Sequence, residues 1–454
     1  MKRAFTATIL ILVIGLALFV GILLARNDSS KGSENPQAYV GVAYCGNSVA
    51  QGKMMIDKVK GYTNLFVLQS GLLQRDLNSV DELGDYAVSA GMYFLPYFGN
   101  YIQSSFSVWL ETAKQKWGTH LLGVYYGDEP GGKMLDGYVE FKDAITGDSI
   151  TKTTYGDIVV QKPDGVVINY ELGGIIHLYE PPLEHSSSDM SEATFYPNGT
   201  IQVVKPAADG FSFNSYQELV DIKPFTDLNE TAQRFYARDK DNVDFLKVNS
   251  TKVFTSDYAL YWFDYLAGYD VVLGQVGWNL TLNQQIALMR GAANLQNKSW
   301  GIVITWKYQQ PPYLDNGTEI LNQMRTAYQC GAKYFVLFDY YDDSDNSIYG
   351  TMKEEHFQAL KSFWNDVVKN PQVVQGSIKA DSVLVLPKNY GWGTRWDGDK
   401  VWGIFVADAK THQIWDLMQT TLNEHGFNLD IVYDDPQYPL LKEYRNVYPT
   451  NHLD

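Results

Sequence analysis

The sequence predicts a closed (β/α)8 barrel, and three observations predict it. Eight short runs rich in β-branched and aromatic residues recur between residues 39 and 341, amphipathic stretches of helical period separate them, and the two kinds alternate in order. An open doubly wound sheet is the rival topology for the same alternation. With 454 residues, 45% of them hydrophobic and 19% charged, the chain suffices for one such domain with accessories.

The eight runs are YVGVAY (39–44), NLFVLQ (64–69), MYFLPYF (92–98), LLGVYYG (121–127), KVFTSDY (252–258), DVVLGQVG (270–277), WGIVITWKY (300–308) and AKYFVLFDYY (332–341). Helices are predicted over 49–60, 77–90, 106–117, 282–295, 318–329 and 354–368, where apolar residues recur at helical spacing. Between the fourth and fifth runs the rhythm breaks. Residues 136–206 alternate and carry the hairpin signals Pro163-Asp164-Gly165 and Asn198-Gly199, so a β-rich insertion is expected after strand four. Helix within 213–240 then leads back to strand five. After the barrel, taken as residues 37–371, a small C-terminal α/β domain is expected over 377–454. Its strands are DSVLVLP (381–387), VWGIFV (401–406) and LDIVY (429–433), with a helix over 412–425.

The N-terminus bears on location. Lys2 and Arg3 precede an uncharged run over residues 4–25, long enough to cross a hydrocarbon core. An N-terminal transmembrane helix acting as an uncleaved signal anchor over 1–26, followed by a polar linker over 27–36, is the expectation. It puts the globular part outside the cytoplasm, at the cell surface. N-x-S/T sequons at Asn27, Asn198, Asn229, Asn249, Asn279, Asn297 and Asn316 agree with a glycosylating compartment. The strand order places Cys45 and Cys330 at opposite ends of neighbouring strands, which predicts two free thiols.

The most informative stretch is LLGVYYGDEPGG (121–132). An apolar strand ends there in Asp128 and Glu129, followed by a Pro-Gly-Gly turn, and acids at the C-terminal ends of barrel strands are where such scaffolds hold general acids and bases. Alternation predicts that only one of the two faces the mouth, with Glu129 as the acid. Other carboxylates at predicted strand ends are Asp257 on strand five and Asp339 on strand eight. Around them fall Tyr44, Gln69, Tyr97, Tyr126, Tyr258, Gln275, Trp278, Trp306, Lys307, Tyr340 and Tyr341, aromatic and amide groups suited to the faces and hydroxyls of sugar rings. Each taken singly is as readily a cap on the barrel core. Lys307 needs a counter-ion, and an ion pair with Asp339 is the simplest solution.

The barrel resembles the glycoside hydrolase superfamily on the strength of the fourth strand. In the large clan of retaining barrel glycosidases, the acid/base glutamate stands where Glu129 stands. The C-terminal unit resembles a truncated amidotransferase-like accessory domain of some β-galactosidase-type enzymes. The resemblance implies two carboxylates, one protonating the leaving oxygen and the other acting as nucleophile or base. This chain departs from the clan at strand seven, where a glutamate is expected and Trp306, Lys307 and Tyr308 stand instead. Asp257 or Asp339 must then supply the second carboxylate, unless an acetamido group of the substrate does so.

Composition excludes other classes. A net charge of −16 with no basic patch argues against nucleic acid. Zinc, phosphate-loop and dinucleotide motifs are missing, so no metal and no cofactor are assigned. The aspartates of YYDDSDNS (340–347) read as a solvated loop before a calcium site. The sequence thus points to a membrane-anchored extracellular glycosidase acting on a glycan, with a non-catalytic carbohydrate-binding barrel and a cell-envelope structural protein as alternatives. It does not fix the oligomeric state.

Overall fold

The computed structural model describes residues 36–99, 106–136, 227–247, 251–277, 280–308, 310–340, 348–440 and 444–453, together with short strands between 139 and 203. Eight parallel strands form the central sheet: β1 (Tyr39–Tyr44), β2 (Leu65–Leu68), β3 (Tyr93–Pro96), β4 (Val124–Tyr125), β12 (Val253–Asp257), β13 (Val271–Val276), β14 (Ser299–Ile304) and β15 (Tyr334–Phe338). Neighbours pair in chain order, and β15 returns to β1. The remaining seam, between β3 and β4, is held by the parallel bridges Phe94 to Leu121 and Tyr97 to Tyr125. The sheet is therefore a barrel, and the open-sheet alternative falls.

The strands read as unbroken apolar runs because both of their faces are buried. Alternate residues form two separate cores. Tyr39, Ala43, Leu65, Val67, Leu95, Tyr125, Phe254, Leu273, Val303 and Val336 fill the barrel interior. Their neighbours in sequence pack outward against the helices. Those helices are α1 (Val49–Val59), α2 (Leu77–Ser89), α3 (Phe106–Trp117), α4 (Pro130–Leu135), α5 (Leu228–Leu246), α6 (Tyr261–Leu266), α7 (Leu282–Leu295), α8 (Gly317–Gln329) and α9 (Glu354–Trp364). Caps mark several of their starts: Asp76, Asp227 and Asn316 each accept from amides of the first turn.

The insertion leaves the barrel after α4. It contains a five-stranded antiparallel meander, β5 (Val139–Lys142), β6 (Ser149–Lys152), β7 (Ile158–Gln161), β8 (Val167–Tyr170) and β9 (Ile176–Tyr179), and a hairpin of β10 (Ala193–Phe195) and β11 (Ile201–Val203). Both turn signals read from the sequence fall between paired strands. The C-terminal unit is a parallel sheet of β16 (Ser382–Leu386), β17 (Leu429–Tyr433) and β18 (Asn446–Pro449), in the order β17-β16-β18, with α10 (Ala409–His425).

Three expectations are corrected. First, the expected fold class includes a transmembrane helix, and no helix among the described residues is long and apolar enough to cross a membrane; the expected span over 4–25 lies outside the described residues. Second, VWGIFV is not a strand: Trp402 and Gly403 take φ of 57° and 68°, turning the chain sharply. Third, β18 is an additional strand, a four-residue edge strand too short to show an apolar run and ending in proline. The likeness to an amidotransferase-like domain gains no support from this three-stranded sheet.

The C-terminal sheet is fastened to the barrel by a buried ion pair. Arg290 of α7, 3% exposed, meets Asp430 of β17, 0% exposed, at 2.7 Å, and also donates to the carbonyls of Phe427 and Leu429. Tyr444 donates to the other oxygen of Asp430 at 2.9 Å. Removing one member of such a pair strands its partner without compensation. Arg290→Met should therefore cost about 3–5 kcal/mol in urea unfolding. A loss below about 1 kcal/mol would show that the pair is solvent-compensated.

Candidate active site

The fourth strand ends in a reversal built from two left-handed residues, Gly127 at φ 66° and Glu129 at φ 56°. For a glutamate this conformation costs roughly 1–2 kcal/mol. It is retained because the turn is held from outside: the Gly127 amide donates to Gly99 O and the Glu129 amide to Ser256 O, each at 2.9 Å. Helix α4 then begins at Pro130, whose missing amide suits the first helical position.

Glu129 occupies the N-cap position without using its side chain to cap. Asp257, at the end of β12, supplies that function instead. Its Oδ2 accepts from the Gly131 amide at 2.5 Å, and its Oδ1 from Gly132 at 2.9 Å, Tyr258 at 2.7 Å and Ala259 at 3.1 Å. Burial pushes the Asp257 carboxyl up to about 7, against the pull of those four amides toward the anion. With its oxygens so occupied and the residue 0% exposed, Asp257 braces the turn from behind.

The Glu129 side chain is thereby released toward the barrel axis. Gln275 Nε2 donates to its Oε1 at 2.7 Å and lies 3.3 Å from Ser256 Oγ. Ser256 Oγ donates to Asp128 Oδ1 at 3.1 Å, and Tyr125 Oη reaches the same oxygen at 2.9 Å. Both acids therefore face the mouth, joined through Ser256 and Gln275. This corrects the expectation of opposite faces: the left-handed residue breaks strand alternation. Burial, and next the Asp128 charge, push the Glu129 carboxyl up to about 7, while Gln275 and Lys133 act in the opposite direction.

Asp339 follows β15 and is 1% exposed, accepting the Cys45 amide at 2.8 Å across the β15–β1 seam. Burial pushes it up to about 7 as well. Burial, then Asp339 and Asp128, push the Cys45 thiol well up, which leaves it a poor nucleophile. Cys45 and Cys330 are both free, at opposite ends of β1 and β15. Tyr97 stands 4.9 Å from Tyr125, ring to ring, and its phenol is raised by burial and by Asp128 and Glu129. Gln69 donates to Tyr125 Oη at 3.3 Å. These contacts bring Gln69, Tyr97, Asp128, Glu129, Gln275, Cys45 and Asp339 to one end of the barrel.

Other candidates lie elsewhere. Tyr44 and Tyr126 point outward: Tyr44 Oη bonds Ser48 beneath α1, and Asn242 of α5 donates to Tyr126 Oη. Tyr258 covers Gly132 and donates to Asp136. Lys307 pairs with Asp315 at 3.0 Å and not with Asp339, because the chain folds back eight residues later. Trp306 packs edge-on against exposed Tyr340 at 4.3 Å. Trp278, Tyr341 and the aspartates of 342–345 lie outside the described residues. Strand seven ends at Ile304 and is followed by Thr305 and Trp306, without an acid. No group of three or more potential metal ligands occurs among the described residues.

The sequence reading missed Tyr125 and Ser256, which connect the acids. Inward parity was the available signal: Tyr125, not Tyr126, shares the barrel interior with Phe254 of β12.

No protein-family model matches the sequence, and neither does any curated protein. Glycoside hydrolases stand among the solved structures to which the chain is similar. A polyextremophilic beta-galactosidase from the Antarctic haloarchaeon Halorubrum lacusprofundi shares 9% identity at a TM-score of 0.49, over 91% of this chain and 69% of that one. GH5_18 from Streptomyces cattleya, in complex with GlcNAc, shares 9% identity at a TM-score of 0.41, over 91% and 99%. Saccharomyces cerevisiae Gas2p with laminaritetraose and laminaripentaose shares 10% identity at 0.33, over 76% and 67%.

The buried acids set a pH dependence of stability. Glu129 and Asp339 titrate near 7 in the folded chain, above their ordinary values of 4.5 and 3.8. Carboxyls raised by folding stabilise fully below those ordinary values and lose that contribution as pH rises through about 7. The urea midpoint should therefore fall between pH 4.5 and 7, and Asp339→Asn should flatten the slope. A midpoint rising across that interval would show that these carboxyls are not raised.

Proposed function

We propose that the protein is a glycosidase-like enzyme whose Glu129 protonates the leaving oxygen of a glycosidic bond. One observation carries the reading: Glu129, buried at the barrel mouth and held by Gln275, with burial pushing its carboxyl up to about 7, stands beside a second carboxyl group, Asp128, engaged by two hydroxyl donors. Two adjacent acids in unlike environments are what acid/base division of labour requires. Gln275 orients the Glu129 carboxyl, and the Asp128 charge helps keep the proton in place. Asp339, which the strand order places across the barrel from Glu129, is the assigned nucleophile or base in its ionised form, because the oxygens of Asp257 are occupied by amides; since burial raises Asp339 as well, the active form has Glu129 protonated and Asp339 ionised and is most populated near pH 7. Tyr97 and Gln69 would meet the sugar, with Trp306 and Tyr340 as an outer aromatic group.

Removing the acid should cost about 10²–10⁴ in turnover. Glu129→Gln should show that loss against aryl glycosides and oligosaccharides with its circular dichroism and melting profile retained, and wild-type kcat/KM should peak near pH 7 and decline on both sides of it. Turnover unchanged in Glu129→Gln sinks the assignment. The acid-free end of strand seven favours a second reading, a barrel that binds glycans without cleaving them. Saturable oligosaccharide binding with no turnover would decide for it.

The same reading includes work outside the cytoplasm of a glycosylating cell. Asn229, Asn297 and Asn316 are exposed acceptors; the side-chain oxygens of Asn229 and Asn316 accept from Asn389 at 2.8 Å and from the Glu319 amide at 3.0 Å, and no such bond holds Asn297 among the described residues. Protein from its native host should lose mass on deglycosylation, with glycans at Asn297 or Asn316; unmodified peptides at both positions would refute this.

A further inference from the structure

The loop between β16 and α10 reaches back to the helix that Glu129 begins. Arg395, its side chain 12% exposed, donates to both oxygens of Asp399 at 2.9 Å, stacks on Trp396 at 4.6 Å, and pairs closely with Asp136. Asp136 is the C-cap of α4, its amide donating to Gly132 O at 2.9 Å. Its other oxygen accepts from Tyr258, whose ring lies so close over Gly132 that an added Cβ would come within 2.1 Å. The same loop seats two glycines on α4: a Cβ on Gly403 would fall 2.3 Å from Met134 O, and one on Gly393 would fall 2.5 Å from Leu135 Cδ1.

Six residues of helix cannot hold a strained N-terminal residue by themselves. Asp257 fixes the start of α4, and Arg395 fixes its end through Asp136 and Tyr258. We propose that Arg395 is a positioning residue for Glu129, so that the C-terminal unit is part of the catalytic apparatus and not an independent appendage. This deepens the glycosidase reading and rests on it for its functional meaning. The ionisable groups acting on Glu129 are Asp128, Lys133 and Asp257, with Tyr97 and Tyr258 alongside. Arg395 acts through the backbone of α4, by keeping water from the Glu129 carboxyl.

The test measures Glu129 directly. Full-length protein carrying 13C-carboxyl glutamate is titrated by NMR, with the Glu129 resonance assigned by its loss in Glu129→Gln. In Arg395→Met the loosened turn should admit water and lower the Glu129 midpoint by at least about one pH unit, toward the ordinary glutamate value. Arg395→Lys should restore part of the shift. Loss of a nearby cation acting only through space would instead raise the midpoint. An unchanged or raised midpoint overturns the proposal, as does a lowered melting temperature with the midpoint intact. Should Arg395→Met fail to fold, Tyr258→Phe keeps the ring over Gly132 but cuts the bond to Asp136, and should lower the midpoint in the same direction. The titration needs no substrate. Failure of the glycosidase reading would appear separately, as absent wild-type turnover with the midpoint shift preserved.

Discussion

Asp257 spends its carboxylate on the first amides of a short helix, and the arrangement of the barrel mouth depends on that use. A helix start leaves amides unpartnered, and the residue at the N-cap ordinarily satisfies them with its own side chain. Here the N-cap is Glu129, and a neighbouring strand does the capping. Glu129 is thereby freed to point at Gln275. Without Asp257 in place, a glutamate at φ 56° beside orphan amides would have every reason to fold back on its own helix.

The constraint explains why two acids adjacent in sequence can share one cavity. A strand would place Asp128 and Glu129 on opposite faces. The left-handed turn rotates the second into the space of the first, and Ser256 and Gln275 then join them. The cluster is electrostatically costly: Glu129 is buried beside Asp128 and Asp257 with Lys133 acting against them, and Asp339 is buried as well. A chain maximising stability alone would not assemble it.

Barrel order, the helices and the insertion were legible because buried parallel strands and amphipathic helices write long, simple patterns. Which face a strand residue takes was not. With both faces apolar, hydrophobicity does not distinguish Tyr125 from Tyr126, so the sequence alone points to Tyr126 and Tyr44 at the mouth although both face outward. The partner of Lys307 is obscured for a similar reason, since adjacency of strands seven and eight suggests Asp339 while a local loop supplies Asp315. Asp257 was legible as an important acid; its role as an external cap required knowing that the amides of Gly131 and Gly132 converge on it. The lack of an acid after strand seven is legible in the sequence and stands in the structure, where Thr305 and Trp306 follow β14.

The attachment of Gly393, Arg395 and Gly403 to α4 joins residues some 260 positions apart. A ribosome delivers the fourth strand long before it delivers the loop that clamps the end of its helix. During synthesis, then, the barrel can lay down its first strands while that short helix waits unfastened, and the insertion after it emerges from an unfinished root. Termination between residue 371 and residue 393 would leave a chain with its whole barrel and these acids, yet with the Glu129 turn still loose.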